Sequence, residues 1–121
     1  MTTPLPRPDH MVVKLRADWD AGPLWVSTGD DVPEPFTAED ITEIAPLSHD
    51  LQTAITAWDT RFQGTYDEDT PQNSGFQNDA ERTAFIQDGR ALARRLAAEL
   101  PTGTKVGYVP LDTGTWEPVE D

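Results

Sequence analysis

The residues with the most chemical potential in this chain fall in three stretches. Asp67-Glu68-Asp69 runs into Thr70-Pro71-Gln72-Asn73-Ser74-Gly75-Phe76, three acids followed by turn formers. Ser48-His49-Asp50 sets a hydroxyl, an imidazole and a carboxylate side by side, and Arg90, Arg94 and Arg95 give a late segment a basic flank. The acidic run raises the question of calcium. A helix-loop-helix calcium site needs oxygen ligands at alternate positions, a glycine at the sixth and a glutamate at the twelfth. Counted from Asp67, the fifth position is Pro71, the sixth Gln72 and the twelfth Asn78, so the pattern fails three times. His10 and His49 have no partner at metal-ligand spacing. No metal or other cofactor is expected.

Nucleophilic catalysis fares no better. The members of a Ser-His-Asp triad converge from separate parts of a fold, whereas three adjacent residues diverge. Ser48 and Asp50 suit the start of a helix instead, the serine as N-cap and the aspartate in the first turn. Neither a nucleophile elbow nor a phosphate-binding glycine loop is present. With no cysteine in the 121 residues, thiol chemistry and disulfides are excluded, and the composition suits a reducing cytoplasm. The start of the chain lacks the apolar run of a signal peptide, and no stretch approaches a membrane span. No catalytic residue is assigned.

Charge is more informative. The formal net charge is −13. Between Ala17 and Ala80 lie fourteen acids and a single base, Arg61, so the whole imbalance resides in that segment while the remainder is neutral. Such a field repels nucleic-acid phosphates and anionic membranes and draws basic partners. Four tryptophans accompany it. Trp58 falls on an apolar helical stripe, Trp25 on the strand face opposite Leu24 and Val26, Trp19 in a turn between Asp18 and Asp20, and Trp116 near the end. Aromatics among acids are characteristic of protein-binding surfaces.

The elements that must carry these residues can be read from periodicity. His10–Ala17 alternates as a half-buried strand, with Met11, Val13 and Leu15 on one face. Pro23–Thr28 forms a second strand, joined to the first by a hairpin. Thr37 and Asp40 make a capping box for a short helix that stops near Pro46. Leu51, Ile55, Trp58 and Phe62 form one apolar stripe ending at Gly64. Asn78 and Glu81 open a longer helix lined by Phe85, Leu92, Leu96 and Leu100. Gly89 lies within it, a place for close approach by another backbone. Phe76 is placed to staple its start. Thr104–Val109 is a third strand. The expected architecture is α+β, a three-stranded, antiparallel sheet in the order β-β-α-α-β with two helices on one face. Residues 1–9 form an extended tail, 10–110 one domain, and 111–121 a flexible acidic tail.

Three pieces together resemble a group of short acidic proteins of high-GC actinobacteria. They are the hairpin Asp18-Trp-Asp-Ala-Gly-Pro-Leu-Trp25, the loop Asp67-Glu-Asp-Thr-Pro-Gln-Asn-Ser-Gly-Phe76 and the Arg/Ala-rich helix Phe85–Leu100. The resemblance spans residues 10–110 and transfers no catalytic residue.

The reading these observations favour is a non-enzymatic, cytoplasmic protein-binding domain that presents its acidic half to a basic protein partner. Its most concrete form is an immunity or antitoxin protein covering the cationic site of a toxin such as a nuclease. The expected contact set is Asp18, Trp19, Asp20, Asp30, Asp31, Asp67, Glu68 and Asp69. Direct nucleic-acid and membrane binding are not expected. Two alternatives stay open: a ligand-binding or enzymatic domain with a pocket between sheet and helices, and a nucleic-acid mimic.

Overall fold

The computed structural model describes residues 11–19, 21–28, 32–66, 69–70, 75–76, 78–100 and 104–119. Its strands are β1 (Met11–Leu15), β2 (Leu24–Thr28), β3 (Glu34–Phe36), β4 (Lys105–Tyr108) and β5 (Glu117–Pro118). The helices α1 (His49–Gln63) and α2 (Asp79–Glu99) lie between β3 and β4, preceded by a 3-10 turn at Asp40–Glu43.

The expectation of a three-stranded antiparallel sheet in β-β-α-α-β order is corrected. The sheet has five strands in the order β3-β2-β1-β4-β5, and it is mixed. β1 pairs antiparallel with β2 but parallel with β4, Val13 facing Val106 and Leu15 facing Tyr108. Helical chain between β3 and β4 supplies the long crossover that a parallel neighbour requires. The two strands missed by pattern are short and proline-bearing. Pro35 and Pro118 remove a ladder donor, which is tolerated at an edge, and both strands are edges.

Alternation gives the sheet two different faces. Met11, Val13, Leu15, Leu24, Val26, Val106 and Tyr108 point into the core, where both helices cover them. Leu51, Ile55, Trp58 and Phe62 from α1 and Phe85, Ile86, Leu92, Ala93 and Leu96 from α2 complete it. Trp58 lies parallel to Phe85, ring centroids 4.3 Å apart, and its Nε1 donates to the Phe85 carbonyl at 2.9 Å. A stack of this kind adds about 1 kcal/mol beyond the area it buries.

Both helix starts form as their sequences dictate. The Ser48 hydroxyl accepts from the Leu51 amide at 3.1 Å, and the Asn78 side chain accepts from the Glu81 amide at 2.8 Å. Gly89 does admit a close neighbour, but it is a side chain rather than a backbone. A Cβ there would stand 2.5 Å from the Tyr108 hydroxyl. Gly107 plays the same part on the other face, where a Cβ would collide with the Trp116 ring.

Candidate functional site

The site begins at the end of α1. Phe62 closes the apolar stripe, and the chain leaves the helix through Gly64, Thr65 and Tyr66. The Thr65 hydroxyl donates to the Phe62 carbonyl at 2.6 Å, and the Gly75 amide donates to the Thr65 carbonyl at 3.0 Å. The α1–α2 connection is thereby pinched shut at its base. Gly75 has φ +123°, a backbone region that favours glycine, so this closure rests on the residue type. Beyond it Phe76 meets Phe85, ring centroids 4.9 Å apart, and anchors the entry to α2.

Trp19, in the β1–β2 turn, folds onto this junction. Its ring stacks on Phe62 at 4.9 Å and 18°, and Tyr66 tilts against it at 5.6 Å. Its Nε1 donates to the Phe62 carbonyl at 3.2 Å and the Thr65 hydroxyl at 3.3 Å. Gln63 adds a second tie, its Nε2 donating to the Asp18 carbonyl at 2.8 Å and to Asp59 Oδ1 at 3.2 Å. Partial burial pushes the Asp59 carboxyl above the ordinary carboxylate range, and the hydrogen bond from Gln63 partly offsets that.

Asp18 and Trp19 of the hairpin turn and residues 62–66 at the end of α1, far apart in sequence, thus share one surface. Asp18 and Trp19 are half-buried on it, Asp69 is exposed, and Tyr66 is exposed at 43%. Asp20, Asp30, Asp31, Asp67 and Glu68 of the expected contact set lie outside the described residues. Sequence reasoning did not single out Phe62, Gln63, Thr65 and Tyr66 as site residues. The signal available was Phe62 at the last turn of an apolar stripe directly before a polar loop.

The other stretches with chemical residue types have structural employment. The Ser48 amide donates to Glu99 Oε1 at 2.6 Å and its hydroxyl to Oε2 at 2.8 Å, so the serine joins the start of α1 to the end of α2. Arg90 holds Glu117 through Nε and Nη2, both at 3.2 Å, which fixes β5 against α2. Arg61 pairs with Asp88 at 2.7 Å. Beside Arg90, a cavity of about 280 Å³ is lined by Arg94, Tyr108, Glu117 and Val119 among others. The Tyr108 hydroxyl is shielded and has no hydrogen-bond partner among the described residues, and burial raises its pKa above the ordinary range. Among the described residues no group of three or more histidines or acids is placed to hold a metal ion. No described helix is long and apolar enough to cross a membrane.

The described residues form an aromatic stack of Trp19, Phe62 and Tyr66, with the Asp18 carbonyl and the Asp59 carboxylate tied beside it through Gln63. Comparison with known proteins adds to this. The family model described as Serratia CdiI immunity protein-like matches residues 11–111, from β1 through β4 and including the hairpin turn and the acidic loop. No curated protein matches the chain.

Proposed function

The chain belongs to the Serratia CdiI immunity protein-like family, and from that premise we propose that it is an immunity protein, one that neutralises a protein toxin by binding it. The family match carries this reading. The finer proposal concerns the surface: the toxin presents a basic region, as a nuclease does, and the acidic half of this chain covers it.

Three observations support that finer reading. The net charge of −13 comes from the segment that contains both the hairpin turn and the acidic loop. Trp19 joins the turn to the first residues of the loop through Thr65. Tyr66 stands exposed at their meeting point. Carboxylates of one sign speed encounter with a cationic partner and orient it, while a central aromatic cluster slows departure. The proposed contact set is Asp18, Trp19, Asp20, Asp30, Asp31, Asp67, Glu68 and Asp69, to which Tyr66 is added. The proposed compartment is the cytoplasm, which a cysteine-free chain suits.

The test is co-expression with the product of the neighbouring gene, scored by growth, followed by titration of the purified pair. Wild-type chain is expected to restore growth. Asp67→Asn/Glu68→Gln/Asp69→Asn is expected to weaken binding about tenfold or more, chiefly through slower association, with a shallower salt dependence. Failure of the wild type to relieve toxicity overturns the immunity reading. Full protection and unchanged affinity in the triple variant overturn the acidic surface alone.

A further inference from the structure

The sheet face turned away from the helices is built unlike the rest of the molecule. Across five strands one row reads Pro35, Trp25, Lys14, Gly107, Pro118, each opposite the next. Trp116 fills the space above Gly107, so an indole flanks Lys14 on either side. The Lys14 ammonium sits 5.6 Å from the Trp116 ring centroid, and the Arg16 guanidinium 5.5 Å from that of Trp25. The Trp25 Nε1 donates to the Arg16 carbonyl at 3.2 Å, which ties the indole to β1's end. Lys105 stands exposed on the neighbouring row, opposite Val12.

Both lysines of the protein and one of its seven arginines therefore share this face. In a chain with 22 acids and nine bases, that is a concentration of the scarce sign on one surface. Lys14, Arg16 and Trp25 also line a cavity of about 210 Å³ with Pro33 and Val32, and Val32 is 83% exposed. Both sheet edges carry a proline next to a glutamate, which discourages strand addition and leaves the face as the available surface.

We propose that this face docks an acidic protein segment, its carboxylates meeting Lys14 and Arg16 and an apolar side chain entering the cavity beside Trp25 and Val32. Charge complementarity selects that occupant. Lys14 is half-buried beside its indole, so a carboxylate meeting it gains more than it would from a fully exposed lysine. Nucleic acid and anionic lipid carry continuous negative charge and meet the repulsion of the −13 field, whereas a segment with isolated carboxylates fits a patch of three cations. The proposal is independent of the immunity reading, because it uses residues outside the acidic contact set.

The experiment titrates the full chain with a short synthetic peptide of glutamate and phenylalanine and with its glutamine counterpart, following tryptophan emission at low and high salt. The acidic peptide is expected to bind about tenfold more tightly at low salt, the gap closing as salt is added. Lys14→Gln/Arg16→Gln, checked for folding by circular dichroism, is expected to abolish the gap without altering binding of the glutamine peptide. Equal affinity for the two peptides overturns the proposal, as does an undiminished gap in the Lys14/Arg16 variant. Tighter binding of single-stranded RNA or phosphatidylglycerol vesicles than of the acidic peptide also overturns it.

Discussion

The Trp19 ring lies on the Phe62 ring at 4.9 Å, and its indole nitrogen donates to the Phe62 carbonyl. This one pair joins a turn of the sheet to the last residues of α1, so Trp19 holds the turn against the end of that helix. Trp19→Ala is expected to cost about 2 kcal/mol, less than a fully buried tryptophan would because Trp19 is only half-buried. Trp19→Phe keeps the stack and loses the hydrogen bonds, so its cost is expected near 1 kcal/mol. Urea unfolding measures both. A Trp19→Ala variant as stable as wild type would show that the stack holds nothing together.

Ser48 and Glu99 form a second long-range tie, and here one residue serves two helices. The Glu99 carboxylate lies at the C-terminal end of its own helix, where the dipole disfavours it, but at the N-terminal end of α1, where it is favoured. Ser48→Ala is expected to cost about 1–2 kcal/mol, since the cap to Leu51 and the hydroxyl bond to Glu99 Oε2 disappear while the backbone amide bond to Oε1 stays. In a double-mutant cycle with Glu99→Gln, the coupling is expected at about 0.5–1 kcal/mol. Strict additivity would mean that the serine acts only on its own helix.

Tyr108 and Gly89 make opposite predictions from one contact. The Tyr108 hydroxyl is buried without a partner among the described residues, so Tyr108→Phe is expected to raise stability by about 1 kcal/mol. Gly89→Ala would gain about 1 kcal/mol of helix propensity, but its Cβ would stand 2.5 Å from the hydroxyl and 2.6 Å from the ring carbon bearing it. Overpacking of that kind outweighs the gain, and a net loss of about 1–2 kcal/mol is expected. Because the ring carbon is crowded too, adding Tyr108→Phe is not expected to rescue Gly89→Ala. Thermal melts of the two single variants and the double decide this.

Periodicity and capping made much of this fold legible. Leu51, Ile55, Trp58 and Phe62 are the buried stripe of α1, and Ser48 and Asn78 cap where their side chains demand. Met11, Val13 and Leu15 face the core as alternation requires. The errors share a cause. Glu34-Pro35-Phe36 and Glu117-Pro118 are too short to alternate, and each becomes a strand only because a neighbour offers an edge. Their pairing is written in tertiary contacts such as Trp116 over Gly107 and Arg90 with Glu117. The parallel β1–β4 pair was equally hidden, since strand direction follows from the path of the helices rather than from any residue in the strands. At the candidate site, composition and spacing single out the acids and Trp19 as an expectation, and of these the structure describes Asp18, Trp19 and Asp69. The Trp19–Thr65 junction could not be read that way, because it joins residues 46 apart in the chain.

Asp59 gives the pH-dependent case. Its carboxyl titrates above the ordinary value of 3.8 because burial penalises the charged form more than the Gln63 hydrogen bond favours it. The folded chain therefore holds this proton more tightly than the unfolded chain. Its contribution to stability is greatest in acid, declines as pH rises from the ordinary value, and stays unfavourable above the folded pKa. Asp59→Asn removes the charge and leaves an oxygen that can accept the same bond from Gln63, whose second bond to the Asp18 carbonyl is untouched. The variant is expected to melt at a higher temperature than wild type near neutral pH. Below the ordinary carboxylate value, where wild-type Asp59 is neutral in both states, the difference is expected to vanish. A variant that melts lower at neutral pH would mean that the ionised carboxylate is favoured in the fold, and that the Gln63 bond, not burial, governs this position.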